Sequence, residues 1–390
     1  MTFPNQQPPR IAQAPTIIIT RSPQVSGIKV ALGIVAILFA LFLGLLILIV
    51  IGFETGPVAL MLGLITATIP VPLYIILVLW IDRYEAEPLW MLATAFFWGA
   101  LVATFFAFLL NTTSLGVVGA LSNANAGEAF AAVISAPIVE ETGKAFILVI
   151  FFFWKKDEFD GVVDGIVYAS MTALGFAMTE NILYYGKAAA EGGGEALTLT
   201  LIIRGFFAPF SHPLFTSLTG IGLGLARQST NIFVKVVTPV IGLLMAIFMH
   251  SIWNGSAVFG GGGIFLLTYI LVMVPAFVIL LVVISLALRR EGQVVRDFLV
   301  IDLDRGTLTR EEYDQLGSIV GRMGSSFRAF SDSGVKGWRA RRRFNQLASE
   351  LAFHRSRVSR GVHSASRDTH EREAAYLQAL QQLVNELRAR

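Results

Sequence analysis

The 390-residue chain contains no cysteine. Disulfides, thiolate metal sites and cysteine nucleophiles are therefore excluded. Charge is also scarce. Only 15% of residues are Asp, Glu, Lys or Arg, against 55% hydrophobic, where a soluble domain carries about 25% charged. Mean hydropathy is +0.67. Histidine is rarer still: five in all, three of them in the polar C-terminal part. An imidazole inside an apolar stretch is therefore conspicuous.

What the chain does have is long apolar stretches, recurring from Lys29 to Arg289. A helix rising 1.5 Å per residue needs roughly 20 residues to cross a bilayer. This gives eight candidate spans, at 29–52, 57–81, 88–110, 131–154, 162–186, 197–226, 235–258 and 264–288. The fold class is all-α: a polytopic transmembrane helical bundle of about eight spans, with a soluble polar C-terminal tail. The first stretch comes after a polar, Pro-rich leader and has no A-x-A-like site behind it, so it reads as a retained span rather than a cleaved signal. The fourth is the weakest, because GEAFAAVIS opens it with little apolar character.

Basic residues set the orientation. One set of loops holds Arg10, Arg21 and Lys29, then Arg83, Lys155 with Lys156, Arg227 with Lys235, and Arg289 with Arg290. The opposite loops (54–56, 122–128, 260–263) lack Lys and Arg, and Lys187 alone breaks the pattern. Both termini are expected in the cytoplasm. Three regions result: a leader (1–28), a transmembrane core (29–290) and a basic, partly helical tail (291–390). In the tail, T-R-E-E at 309–312 has the form of a capping box. AAYLQALQQLVNELRAR has helical periodicity. The stretch 353–370, poor in apolar residues, is expected to be disordered. RARRR at 339–343 suits anionic lipid beside a membrane helix better than nucleic acid, and no nucleic-acid partner is expected.

Ionisable residues within spans are costly and usually functional. The fourth span holds Glu140, Glu141 and Lys144. The fifth has Asp164 at its start and Glu180 far along. The sixth has Arg204 and His212, and the seventh has His250 with Asn254 four residues on. Counted from its nearest cytoplasmic marker, each of Glu140, Glu141, Glu180, His212 and His250 stands 14–16 residues deep, roughly 21–24 Å. Separate spans thus deliver their costly side chains to one layer, on the outer side of the midplane. Lys144 is i,i+4 to Glu140 and i,i+3 to Glu141, so it can pair with either. Pro209 and Pro213 flank His212 and are expected to break that span. Gly175, Gly205, Gly220, Gly222 and Gly224 permit close helix approach.

Two imidazoles and several carboxylates without sulfur suit Zn²⁺. A catalytic zinc supplies water of lowered pKa, and a nearby carboxylate outside the ligand set takes its proton. Asn254 would donate to the oxyanion, and Lys144 would keep the acids ionised. Each residue also has a plainer reading. EE-x-x-K is also a packing ion pair, a membrane His is also a helix–helix hydrogen bond, and Asp164 is a solvated or capping acid. Arg204 neutralises acids or snorkels outward. Tyr168, Tyr184 and Tyr185 are interfacial or core aromatics, and FFFW (151–154) is a lipid-facing belt. A proton- or ion-coupled transporter is the second functional reading, since buried Glu and His also serve proton relays. A scaffold recruiting partners through the tail is the third.

EETGK (140–144), DGIVYASMTALGFAMTEN (164–181), SHPLFTSLTGIGLG (211–224) and HSIWN (250–254) resemble the PrsW-type intramembrane proteases. These are distant relatives of the CAAX-prenyl endopeptidase and bacteriocin-processing superfamily. The likeness covers roughly 70–290. It implies a metal-dependent endopeptidase of the bacterial plasma membrane, with zinc as its expected metal. It also implies a membrane-protein substrate, such as an anti-sigma factor, cut near the extracytoplasmic side. By motif, Glu140 and Glu141 take the EE-x-x-K positions, Glu180 the F-x-x-x-E position, His212 and His250 the histidine positions, and Asn254 the last place of H-x-x-x-N. The wider superfamily has His where this chain has Glu180, which leaves open whether Glu180 or His212 fills that ligand place. The resemblance favours His212 and His250 as ligands, with Glu140 or Glu141 as third ligand or base. Glu141 and Glu180 are thus candidates for the metal set. Glu140, Glu141, Lys144 and Asn254 are candidates for the chemistry.

Overall fold

The computed structural model describes residues 27–360 and 367–388, and every regular element among them is helical. The leader up to Ser26 lies outside the described residues. Residues up to Phe39 cluster as one unit, of which the described part is the apolar beginning of α1 (Gly27–Thr55). Ala40 onward forms the second unit, which holds all the remaining helices.

The first helices of this second unit after α1 are α2 (Pro57–Thr68), α3 (Val71–Ile81) and α4 (Leu89–Phe97). A π-helical turn, Trp98–Ala103, joins α4 to α5 (Thr104–Leu121). A second, Ala131–Ser135, joins α6 (Ala124–Phe130) to α7 (Ala136–Trp154). At the centre is α8 (Val162–Leu201), whose residues from Val162 to Ala177 are all buried. A membrane helix enclosed on every side needs small residues where its neighbours cross. A Cβ on Gly165 or Gly220 would run into the other's carbonyl, so α8 lies directly on α9 (Ser211–Gln228). Gly175 meets the Phe96 carbonyl in the same way. Positive φ at Gly193 breaks α8, a conformation that favours glycine. Beyond α9 come α10 (Ile232–Phe259), α11 (Gly261–Thr268) and α12 (Val274–Asp304).

Six stretches of helix among the described residues are long and apolar enough to cross a membrane: 30–55, 57–81, 89–121, 162–228, 232–259 and 261–304. The protein is a polytopic helical bundle. The 162–228 stretch contains the expected fifth and sixth spans. The expected fourth, α7, is not among the six, and it carries the three ionisable residues Glu140, Glu141 and Lys144. The helices overrun the expected spans 88–110 and 264–288, to Leu121 and Asp304.

The tail is more ordered than its composition suggests. Thr309 caps α13 (Arg310–Leu316) by the reciprocal box: its Oγ1 accepts the Glu312 N–H at 3.2 Å, and its N–H reaches Glu312 Oε2 at 2.8 Å. α14 (Ile319–Ser359) folds on itself at Gly334, and α15 (Arg367–Arg388) buries Leu380, Leu383 and Val384. The expected disorder over 353–370 is corrected: 353–359 end α14 and 367–370 begin α15, while 361–366 lie outside the described residues. Ion pairs add to the buried Phe353 there. Arg355 pairs with Asp302 and Glu373, and Arg357 with Glu85 and Asp160.

Two smaller expectations also change. Phe151 of the FFFW run is buried against Tyr168, ring centroids 5.1 Å apart, while Phe153 and Trp154 are exposed. Asp164 caps α8 by accepting the N–H groups of Asp160 and Gly161, but it is buried rather than solvated.

Candidate active site

Four helices converge on one polar cluster inside the apolar bundle. α7 supplies Glu140, Glu141 and Lys144, which fall within one turn and a little more, so all three are carried inward. Glu141 and Lys144 are 0% exposed. Lys144 Nζ lies 2.8 Å from Glu141 Oε1, 3.5 Å from Glu140 Oε2 and 3.1 Å from His212 Nδ1. It also sits 4.0 Å above the Phe176 ring. A buried ammonium thus meets two carboxylates, an imidazole and an aromatic face, which offset its loss of water.

α10 brings His250, whose Nδ1 is 3.0 Å from Glu141 Oε1 and whose Nε2 is 3.9 Å from Glu140 Oε2. α9 brings His212 in its first turn. A non-helical break at 208–210 precedes it, where Pro209 interrupts the chain and Pro213 falls early enough in α9 to be tolerated. α8 brings Glu180, which accepts from His212 Nε2 at 3.0 Å and from Arg204. Arg204 also donates to Asn181 Oδ1 at 2.6 Å and lies 3.8 Å above the Tyr184 ring.

The two adjacent acids have different surroundings. Glu141 is saturated: Oε1 receives Lys144 and His250, and Oε2 receives the Thr216 hydroxyl at 2.8 Å. Glu140 Oε2 is buried and has no hydrogen-bond partner. One ligand atom each from Glu140, His212 and His250 falls within 4.8 Å of the others. A buried carboxylate oxygen without a hydrogen bond, close to two imidazoles, is a donor set that could hold a divalent ion. Glu141 and Glu180, also expected near a metal, are outside that group of three.

Hydrogen-bond logic fixes the imidazoles. The Lys144 ammonium only donates, so His212 Nδ1 accepts and Nε2 carries the proton that Glu180 accepts. His250 Nδ1 donates to the Glu141 carboxylate, leaving the Nε2 lone pair toward Glu140. Asn254 lies one turn beyond His250, and its amide donates to the Ala132 carbonyl at 2.8 Å. That bond ties α10 to the second π-helical turn, whose irregular backbone leaves carbonyls free. Asn254 also lines a cleft of about 450 Å³ that reaches Glu140 and Glu180. Thr216 and Phe176 join the cluster without having been expected there. Thr216 stands four residues after His212, a spacing that puts both on one face of α9.

The model of the "PrsW family intramembrane metalloprotease" matches residues 87–280. The chain is 35% identical over 173 residues to Protease PrsW of Geobacillus kaustophilus, covering 44% of this chain and 69% of that protein. It is 31% identical over 195 residues to Protease PrsW of Oceanobacillus iheyensis, covering 50% and 82%. It is 29% identical over 178 residues to the Bacillus subtilis protein of that name, covering 45% and 71%. No solved structure matches the chain.

Proposed function

The chain belongs to the PrsW family of intramembrane metalloproteases, and from that premise we propose that Glu140, His212 and His250 hold the metal with which it cleaves a membrane-protein substrate. Membership decides for a protease over an ion-coupled transporter. The observation that carries the ligand assignment is Glu140, whose Oε2 is buried without a hydrogen-bond partner and which offers one carboxylate oxygen within 4.8 Å of imidazole nitrogens from two other helices. Nitrogen and oxygen donors without sulfur suit zinc. Bound there, such an ion supplies water activated at neutral pH.

The remaining residues support and orient the site. Glu141 holds His250 Nδ1–H, the familiar carboxylate–imidazole support of a metal-binding histidine. Lys144 balances the charge of Glu141 and directs His212. For His212 to bind a cation through Nε2 as a neutral imidazole, its proton would have to sit on Nδ1 instead, Lys144 would have to turn away from Nδ1, and Glu180 would have to shift or join the ligands. Glu180 is therefore the group placed to become a further ligand, and its ion pair with Arg204 keeps it in the charged form that a cation binds. Asn254 uses one amide N–H on Ala132 and lines the cleft, so its second N–H could be donated to a scissile carbonyl bound there.

The basic loops favour both termini in the cytoplasm. The depth count then sets the site toward the extracytoplasmic side, within reach of a single-span substrate such as an anti-sigma factor. Basic residues after Arg290 make the tail suited to anionic lipid. The test is cleavage of a co-expressed single-span protein. Glu140→Ala and His250→Ala should abolish it. Undiminished cleavage in both would remove the proposal.

A further inference from the structure

The first half of α14, residues 319–333, is amphipathic in the wrong sense for a helix in water. Val320, Met323, Phe327 and Phe330 recur at spacings of three and four, so they form one stripe. That stripe points outward: Val320 is 79% and Phe327 72% exposed, and Met323 and Phe330 about half. The opposite face points inward and is polar. Arg322 and Ser325 are buried. Arg322 donates to Ser349 Oγ at 2.5 Å and to the Arg83 carbonyl at 3.0 Å, and Asn345 reaches Ser326 Oγ at 3.3 Å. These contacts pair the first half with the second in antiparallel fashion. The reversal between them falls at Gly334, φ +62°, where a non-glycine residue would be strained.

A helix that buries an arginine and a serine while exposing two phenylalanines matches an apolar exterior. Its position says which one. Ile319 and Val320 line a cleft of about 350 Å³ with Tyr84, Leu288 and Arg289. Leu288 is in the last apolar turn of α12 before Arg289 and Arg290, and Leu281, Val282 and Leu286 of that helix are exposed. The stripe therefore starts where the surface of a membrane-spanning helix ends. Arg328 on the same helix, which also pairs with Glu311 at 3.3 Å, and Lys336 and Arg339 just past the reversal are exposed, as basic side chains at an anionic headgroup layer would be.

We propose that residues 319–333 lie in the interfacial layer of the bilayer, on the side to which α12 delivers the tail, with Val320, Met323, Phe327 and Phe330 set among the acyl chains. The helix then covers part of the membrane with its apolar face while its polar face organises the tail. This rests on the membrane spans and not on the metal site, so it stands or falls separately from the protease assignment.

The cysteine-free chain allows a single reporter to be placed. Phe327→Cys and Asp332→Cys are each labelled with an environment-sensitive fluorophore in the full-length protein. They are then reconstituted in nanodiscs of phosphatidylcholine, with and without phosphatidylglycerol. The expected result at 327 is loss of most emission to a lipid-borne nitroxide and little loss to aqueous iodide, the contrast growing with phosphatidylglycerol. At 332, which is exposed on another face, the order reverses. Efficient iodide quenching at 327 overturns the proposal. So does protection from both quenchers that depends on protein density, because a second copy then covers the stripe.

Discussion

His250 Nδ1 and Glu141 Oε1 stand 3.0 Å apart with both side chains buried, while the neighbouring Glu140 keeps an oxygen without a hydrogen bond. On the proposed assignment the adjacent acids have separate duties. Glu140→Gln should remove both the bound metal and cleavage. Glu141→Gln should weaken metal affinity by about 10–100-fold, the usual effect of losing a support to a ligating histidine, with activity partly restored at high metal. Titration against a competing chelator measures the difference. Equal loss in both variants would contradict the division.

Lys144 is the cation both acids share. Lys144→Met keeps its length and leaves the buried acids without their shared ammonium, at a cost of about 3–5 kcal/mol. The variant should melt well below wild type in detergent, and adding Glu141→Gln should recover much of the loss. Wild-type melting of Lys144→Met alone would show that the pair contributes nothing to stability.

Gly220 lets α9 close on α8, and those helices carry His212 and Glu180. Gly220→Ala should force them apart, with an overpacking loss of about 1–3 kcal/mol and weaker metal retention. Gly116→Ala, with open space around it, should change neither. Thermal melting and chelator titration of the two variants check this.

Away from the spans, burial pushes the Asp82 carboxyl up to about 7, against the pull of the Glu87 N–H that it accepts. Asp164 adds to the rise. A carboxyl raised in the folded state adds stability that is full below its unfolded pKa, near 4, and lost as pH rises through about 7. The fall is on the order of 4 kcal/mol for this group. Melting temperature should therefore decline between about pH 4 and 7 in wild type and decline less in Asp82→Asn. Parallel profiles would contradict the assignment.

The site's members stand out in the sequence because a charged side chain is conspicuous among apolar neighbours, and their equal depth in separate spans marks convergence. The bonding of the two acids does not stand out. Glu140 and Glu141 are successive residues on one turn, and only the rotation of α7 against α9 and α10 decides which oxygen meets Thr216 and which stays open. The order of the tail is hidden for another reason. Arg357 pairs with Glu85, 272 residues away, and such a contact leaves no local periodicity. Burial of Phe151 is masked similarly, since its run of aromatics reads as uniformly lipid-facing until Tyr168 supplies a partner.

The most direct test is the metal itself. X-ray absorption on zinc-loaded full-length protein should show about one ion per chain with only nitrogen and oxygen ligands at about 2.0–2.1 Å. Imidazole scattering should fall by half in His250→Ala. A protein that cleaves its substrate with no bound metal, or an imidazole signal unchanged by removing His250, would contradict the assignment of Glu140, His212 and His250 as the catalytic metal site.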